Sequence, residues 1–178
     1  MWALVEDSKI SKVYNKPTQL TIGDIKYPSN IHNLWSEAEL KAIGIYEVVI
    51  DNTNYKDPKY YINTDQSFAF ASNKVTATYG TATAKDLDTL KTSHCEIIDN
   101  QAYGLLQPND WMVVRNAESS KAIPSDWLDY RVAVRTAATD MKTKINAVAN
   151  VDALAALYAY SGDPATRPLG EFPTEPTS

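Results

Sequence analysis

The stretch Ser67-Phe68-Ala69-Phe70-Ala71-Ser72-Asn73-Lys74-Val75-Thr76-Ala77-Thr78-Tyr79-Gly80 sets the character of the front half of the chain. Phe68, Phe70 and Ser72 alternate with alanines, and Val75, Ala77 and Tyr79 alternate with threonines. A period of two places one set on each face of a pleated strand, and aromatics on one face predict a sheet half-buried against something. Ser72-Asn73 lies between the two runs as a tight hairpin turn. After Gly80 the period changes. From Ala84 to Leu106 the apolar positions Leu87, Leu90, Ile97, Ile98, Ala102 and Leu105 have helical spacing, and the strip is continuous if His94 joins it. The chain therefore reads as α+β, with a β-rich half followed by a helical half.

Working outward from that junction, Ile45–Ile50 is rich in β-branched residues and reads as a strand, with Tyr60–Asn63 as a further short one. Trp2–Glu6 and Ile10–Tyr14, separated by Asp7-Ser8-Lys9, read as an opening hairpin. A turn-rich stretch from Lys16 to Asn33 follows, broken by Pro17, Gly23 and Pro28. Ser36 with Glu39 three residues on forms a capping box, and Gly44 sits where a helix stops. Leu34 or Trp35 is placed to pack on Leu40 as a staple. Toward the other end, Gln107-Pro108-Asn109 ends the first long helix, and Trp111–Ile123 reads as a less regular segment. A second long helix is expected from Ser125 to Val148, with Trp127, Val134, Met141 and Val148 spaced by sevens and Ala138 and Ile145 beside them. That stripe fits both packing inside the chain and self-association as a homo-oligomer. Val151–Tyr160 reads as a short helix opened by Asp152. The expected divisions are 1–82, 83–160 and an extended segment 161–178, which holds four of the nine prolines.

Composition narrows the function. The 178 residues carry a net charge of -5, against the clustered cations that phosphate binding needs, so no nucleic-acid partner is expected. Lys9, Lys12 and Lys16 form an ordinary solvated edge. One cysteine, Cys95, allows no intrachain disulfide. No apolar run approaches membrane-spanning length, and the opening residues through Glu6 and Asp7 lack the features of a signal peptide, so a soluble protein is expected.

Catalytic patterns fare poorly. Ser93-His94-Cys95-Glu96 holds nucleophile, base and ligand types, but neighbours on a helix diverge by about 100° and cannot meet on one atom. Cys95 is expected as a small buried apolar residue and His94 as a partly exposed one. The oxygen-rich Asp51–Asp57 loop has Lys56 where a calcium loop wants glycine and Ile62 where it wants a bidentate glutamate. Asp86 and Asp88 fall on different helix faces, and glycines are too scattered to cradle phosphate. No enzyme activity, cofactor or metal is expected.

Aromatic residues carry more information: four tryptophans and eleven tyrosines exceed what a small core requires. Trp127, Tyr130, Arg131 and Val134 share one helix surface, where Arg131 could stack on a ring while its fork meets a carboxylate. That surface would anchor the Trp111 segment or a partner. Leu105-Leu106-Gln107-Pro108-Asn109-Asp110-Trp111 followed by Trp127-Leu128-Asp129-Tyr130-Arg131-Val132-Ala133-Val134-Arg135 resembles the tail assembly chaperone family of tailed bacteriophages. The family's Leu-Leu…Asp-Trp and Trp…Tyr-Arg…Ala…Arg elements are both present. Glu171-Phe172-Pro173-Thr174-Glu175-Pro176 matches its proline-rich ending, with Phe172 in place of tryptophan. The chain departs from the family at Met112-Val113-Val114-Arg115, and Ile45–Tyr79 has no counterpart there and looks more like a domain of a marine-phage virion protein.

The resemblance implies a tail-morphogenesis role through contacts with tail or tail-fibre proteins, in the host cytoplasm during assembly or in the mature virion. It makes Trp111, Trp127, Tyr130, Arg131, Arg135 and Phe172 the candidate partner-binding residues. A host-glycan recognition or decoration module, using Tyr55, Tyr60 and Tyr61 around a polar loop, is the alternative.

Overall fold

The computed structural model describes residues 1–177 and divides into two compact units, Met1–Thr83 and Ala84–Ser178. The architecture is α+β, with a curled mixed sheet in the first unit and helices in the second.

The chain opens on antiparallel β1 (Trp2–Glu6) and β2 (Lys9–Tyr14). Asp7 and Ser8 both take positive φ, 48° and 61°, so the loop is a two-residue turn of the kind whose twist suits a hairpin. A small hairpin of β3 (Leu20–Ile22) and β4 (Ile25–Tyr27) and a one-turn helix α1 (Ile31–Leu34) occupy the stretch read only as turn-rich. Next comes α2 (Glu37–Ala42). The Ser36 hydroxyl accepts from the Glu39 amide while the Glu39 carboxylate accepts from the Ser36 amide, so both halves of the capping box are made. The staple is Trp35, which packs in the cluster with Leu40, whereas Leu34 is exposed.

Gly44 stops α2 at φ +80°, and a Cβ there would lie 2.7 Å from the Val5 carbonyl oxygen. Only glycine lets the chain pass so close to β1 and enter β5 (Ile45–Asp51). After β6 (Tyr61–Ile62) come β7 (Gln66–Ala71) and β8 (Lys74–Tyr79), joined by Ser72 and Asn73, again both at positive φ. The five-stranded order is β2-β1-β5-β8-β7, parallel only between β5 and β8. A two-residue strand, β9 (Thr83–Ala84), falls at the division between the units.

Both faces of β1 are covered, which explains its unbroken apolar reading. Ala3 and Val5 join Val48, Val75 and Ala77 on one side, against Phe68 and Phe70. Leu4 joins Leu20, Ile31, Leu40 and Ile45 on the other.

In the second unit α3 (Leu87–Leu106) is capped by Asp86, whose carboxylate accepts from the Thr89 amide at 2.8 Å and is held below its usual pKa by hydrogen bonds from the Thr89 side chain and backbone. A 3-10 turn over Gln107–Asn109 follows, then α4 (Asp110–Ser119), α5 (Ser125–Ala147) and α6 (Val151–Ala156). Two expectations are corrected here. The segment after Trp111 is helical, buried through Met112 and ended by Ser120 in left-handed conformation. The cap of α6 is Asn150, which accepts from the Ala153 amide at 2.8 Å, and not Asp152.

α5 packs along α3, and Val134, Ala138, Met141 and Ile145 are buried inside the unit. The seven-residue stripe is therefore largely core, with Trp127 and Val148 half-buried at its ends. Residues 161–177 contain no helix and one isolated bridge, Ser161 with Thr166. Within this segment Leu169 is fully buried, and its amide donates to the Leu157 carbonyl at 2.9 Å. No helix among the described residues is long and apolar enough to cross a membrane.

Candidate functional site

Pro108 cannot supply the backbone donor that would continue α3, so the last carbonyls of that helix need other partners. Arg131, reaching across from α5, provides one. Its Nη1 donates to the Leu106 carbonyl at 3.1 Å and to the Asn109 side-chain oxygen, while Nη2 donates to Asp110 Oδ1 at 2.6 Å. Asn109 is itself buried and donates back to the Leu105 carbonyl at 3.3 Å. One planar fork thus closes the C-terminus of α3 and fixes Asp110 at the first turn of α4, where a carboxylate suits the helix dipole. The Leu-Leu…Asp-Trp and Tyr-Arg elements meet at this point.

The six candidate contact residues divide by exposure. Tyr130 and Arg131 are buried, at 5% and 7%, and the Arg131 fork meets the Asp110 carboxylate within the unit. Burial, with the Glu175 carboxylate as a lesser cause, raises the Tyr130 pKa. Trp127 is half-buried and meets Tyr130 edge-on, 5.9 Å between ring centres. Trp111 is 53% exposed and Arg135 is exposed. The stacking expected of Arg131 is made instead by Arg115, whose guanidinium lies 4.6 Å from the centre of the Trp111 ring. Val113 and Val114 on α4 and Leu128 and Val132 on α5 are also exposed apolar residues.

Phe172 is half-buried and lines a groove of about 390 Å³ with Gln101, Gly104 and Leu105 of α3. Its segment is pinned by two cations that the sequence reading passed over. Lys144 donates to the carbonyls of Pro168 and Leu169 at 2.9 and 3.1 Å. Arg167 donates to the Gly170 carbonyl at 3.1 Å and pairs with Glu171, which also accepts from Tyr160. The one signal in sequence was Leu169 itself, a large apolar residue stranded among prolines.

The remaining candidates scatter. His94 is buried and within 2.6 Å of the Tyr158 hydroxyl, whereas Cys95 is half-exposed and faces Asn146, the reverse of the burial expected for the pair. Burial raises the Cys95 thiol pKa. The two side chains have different partners and do not converge. Asp51 accepts from the Thr53 amide and hydroxyl, a local turn that occupies one of its oxygens. Tyr60 is 5% exposed, and Lys56 lies over the Tyr61 ring, so the tyrosines around that loop do not form one open stacking platform. No group of three or more His, Cys, Asp or Glu among the described residues could hold a metal ion. No family model, curated protein or solved structure matches the chain.

Proposed function

We propose that the chain is a non-enzymatic bacteriophage tail-morphogenesis protein that acts through protein–protein contacts, as a tail assembly factor or a minor tail or tail-fibre component. The observation that carries this reading is the presentation of Trp111. Its ring is half in solvent, yet its helix is anchored at the first turn by Arg131 through Asp110. A large aromatic on a fixed base loses little rotational freedom when a partner covers it, which is the property of an interface anchor. The two sequence elements that resemble the tail assembly chaperones are the ones this contact joins. Their resemblance supplies the phage setting.

Mass spectrometry of phage particles and infected-cell lysates tests the proposal. The chain in fixed ratio to tail proteins identifies a structural component. Presence in lysates and on immature tails, with loss from finished particles, identifies an assembly factor. Normal tails in a phage lacking the chain, with no association at any stage, would sink the reading.

A further inference from the structure

The outer side of α4 carries more than Trp111. Trp111, Val114 and Ala117 follow one another at three-residue spacing and Val113 meets Ala117 at four, so the four share one side of the helix. All four are exposed, whereas Met112, on the opposite side, is buried. An apolar stripe turned outward reverses the pattern of an ordinary surface helix and marks a contact surface. Arg115 and Glu118 stand together at one flank of this stripe, three residues apart and opposite in sign. The Arg115 guanidinium lies over the Trp111 ring, and its Nε is buried with no hydrogen-bond partner. Among the described residues neither Arg115 nor Glu118 forms an ion pair.

We infer that α4 pairs with α4 of a second copy of this chain, antiparallel about a two-fold axis. The inference rests on the reading of Trp111 as an interface anchor and names what covers it. Charge complementarity selects the occupant. A partner of one sign would satisfy either Arg115 or Glu118 and repel the other, and a wholly apolar one would bury both unpaired. In a two-fold antiparallel pair the same flank of each helix faces its counterpart. Arg115 of each copy then meets Glu118 of the other, and both ion pairs form at once. Trp111 of one copy comes down near Ala117 of the other, whose small side chain leaves room for the ring. The ten residues of α4 span about 15 Å, so the contact is small and the pairing depends on concentration, with a Kd of about 100 μM.

Analytical ultracentrifugation of the full chain up to about 1 mM tests this, and a reversible dimer is expected. Arg115→Glu alone and Glu118→Arg alone each set like charges at both contacts, and each should weaken self-association at least about tenfold. Mixed in equal amounts, the two variants should pair with each other, and Arg115→Glu/Glu118→Arg should pair with itself as the native chain does. Circular dichroism checks that every variant is folded. A purely intrachain role for these side chains predicts no rescue on mixing. A native chain that stays monomeric at the highest concentration overturns the inference. So does undiminished pairing of the folded single variants, or a mixture of them that stays monomeric. The tail-morphogenesis reading fails separately, on the absence of any association with tails, which these measurements do not touch.

Discussion

In the sheet unit, chain reversals are closed by residues adjacent in sequence: Asp7-Ser8 and Ser72-Asn73 by their own positive φ, α2 by Ser36, Glu39 and Gly44. In the helical unit the corresponding work falls to long cations acting at a distance. Arg131 reaches 21 to 25 residues back to Leu106, Asn109 and Asp110, and Lys144 reaches 24 and 25 residues forward to Pro168 and Leu169. The difference teaches where each unit is fragile. Losing a local turn device weakens one reversal, whereas losing a cation removes the donor from acceptors on two or more residues at once.

The largest effect should come from Arg131→Leu. It leaves Asn109 and the end of α3 without their donor, and about 3 kcal/mol of stability should be lost from the helical unit. Urea unfolding followed by helical circular dichroism measures this, and amide signals of β1, β5 and β8 should hold their positions. If they move as much as those of α3, the two units are not separable in this sense.

Gly44→Ala strikes the sheet unit at the one site where a Cβ meets backbone. It should cost about 2 kcal/mol through the left-handed φ and the contact with Val5. The loss should appear in the sheet signals first.

A smaller effect is expected of Ser36→Ala, about 1 kcal/mol for a lost N-cap. This one is pH-dependent. The Ser36 hydroxyl and amide, bonded to the Glu39 carboxylate, hold its pKa below the ordinary value. A depressed folded pKa contributes stability above the unfolded value, near 4.3, which is lost as pH falls through the folded pKa. The gap between the native chain and Ser36→Ala should therefore be full at neutral pH and narrow on acidification. A gap that widens in acid contradicts the box.

Smallest of all, Trp111→Ala should change stability by less than about 1 kcal/mol, chiefly the contact with Arg115. Thermal melting checks that. A large loss would make Trp111 a structural residue and remove it as an anchor.

The same contrast governs what could be read in advance. The capping box, Gly44, the Ser72-Asn73 turn and the period-two strands are patterns complete within a few residues, so they were legible. The helix α4 was not, because Val113-Val114 weaken its local signal and its start is secured by Arg131 from another helix. Asn150 was missed beside the equally plausible cap Asp152. At the candidate site the spacing of Trp127, Tyr130, Arg131 and Val134 correctly put them on one side of α5. Spacing says which residues share a face but not whether it looks inward, and Tyr130 and Arg131 proved to look in. Trp111, expected as a contact residue from the same resemblance, keeps its ring half in solvent.

Leu169 has a consequence for the timing of synthesis. It is translated after α3, α4, α5 and α6, yet it fills part of the interior that they leave. On the ribosome the sheet unit is complete long before this leucine has been made, since domains tend to fold in the order they emerge. The helices must wait with a gap in their packing until this leucine has emerged behind them.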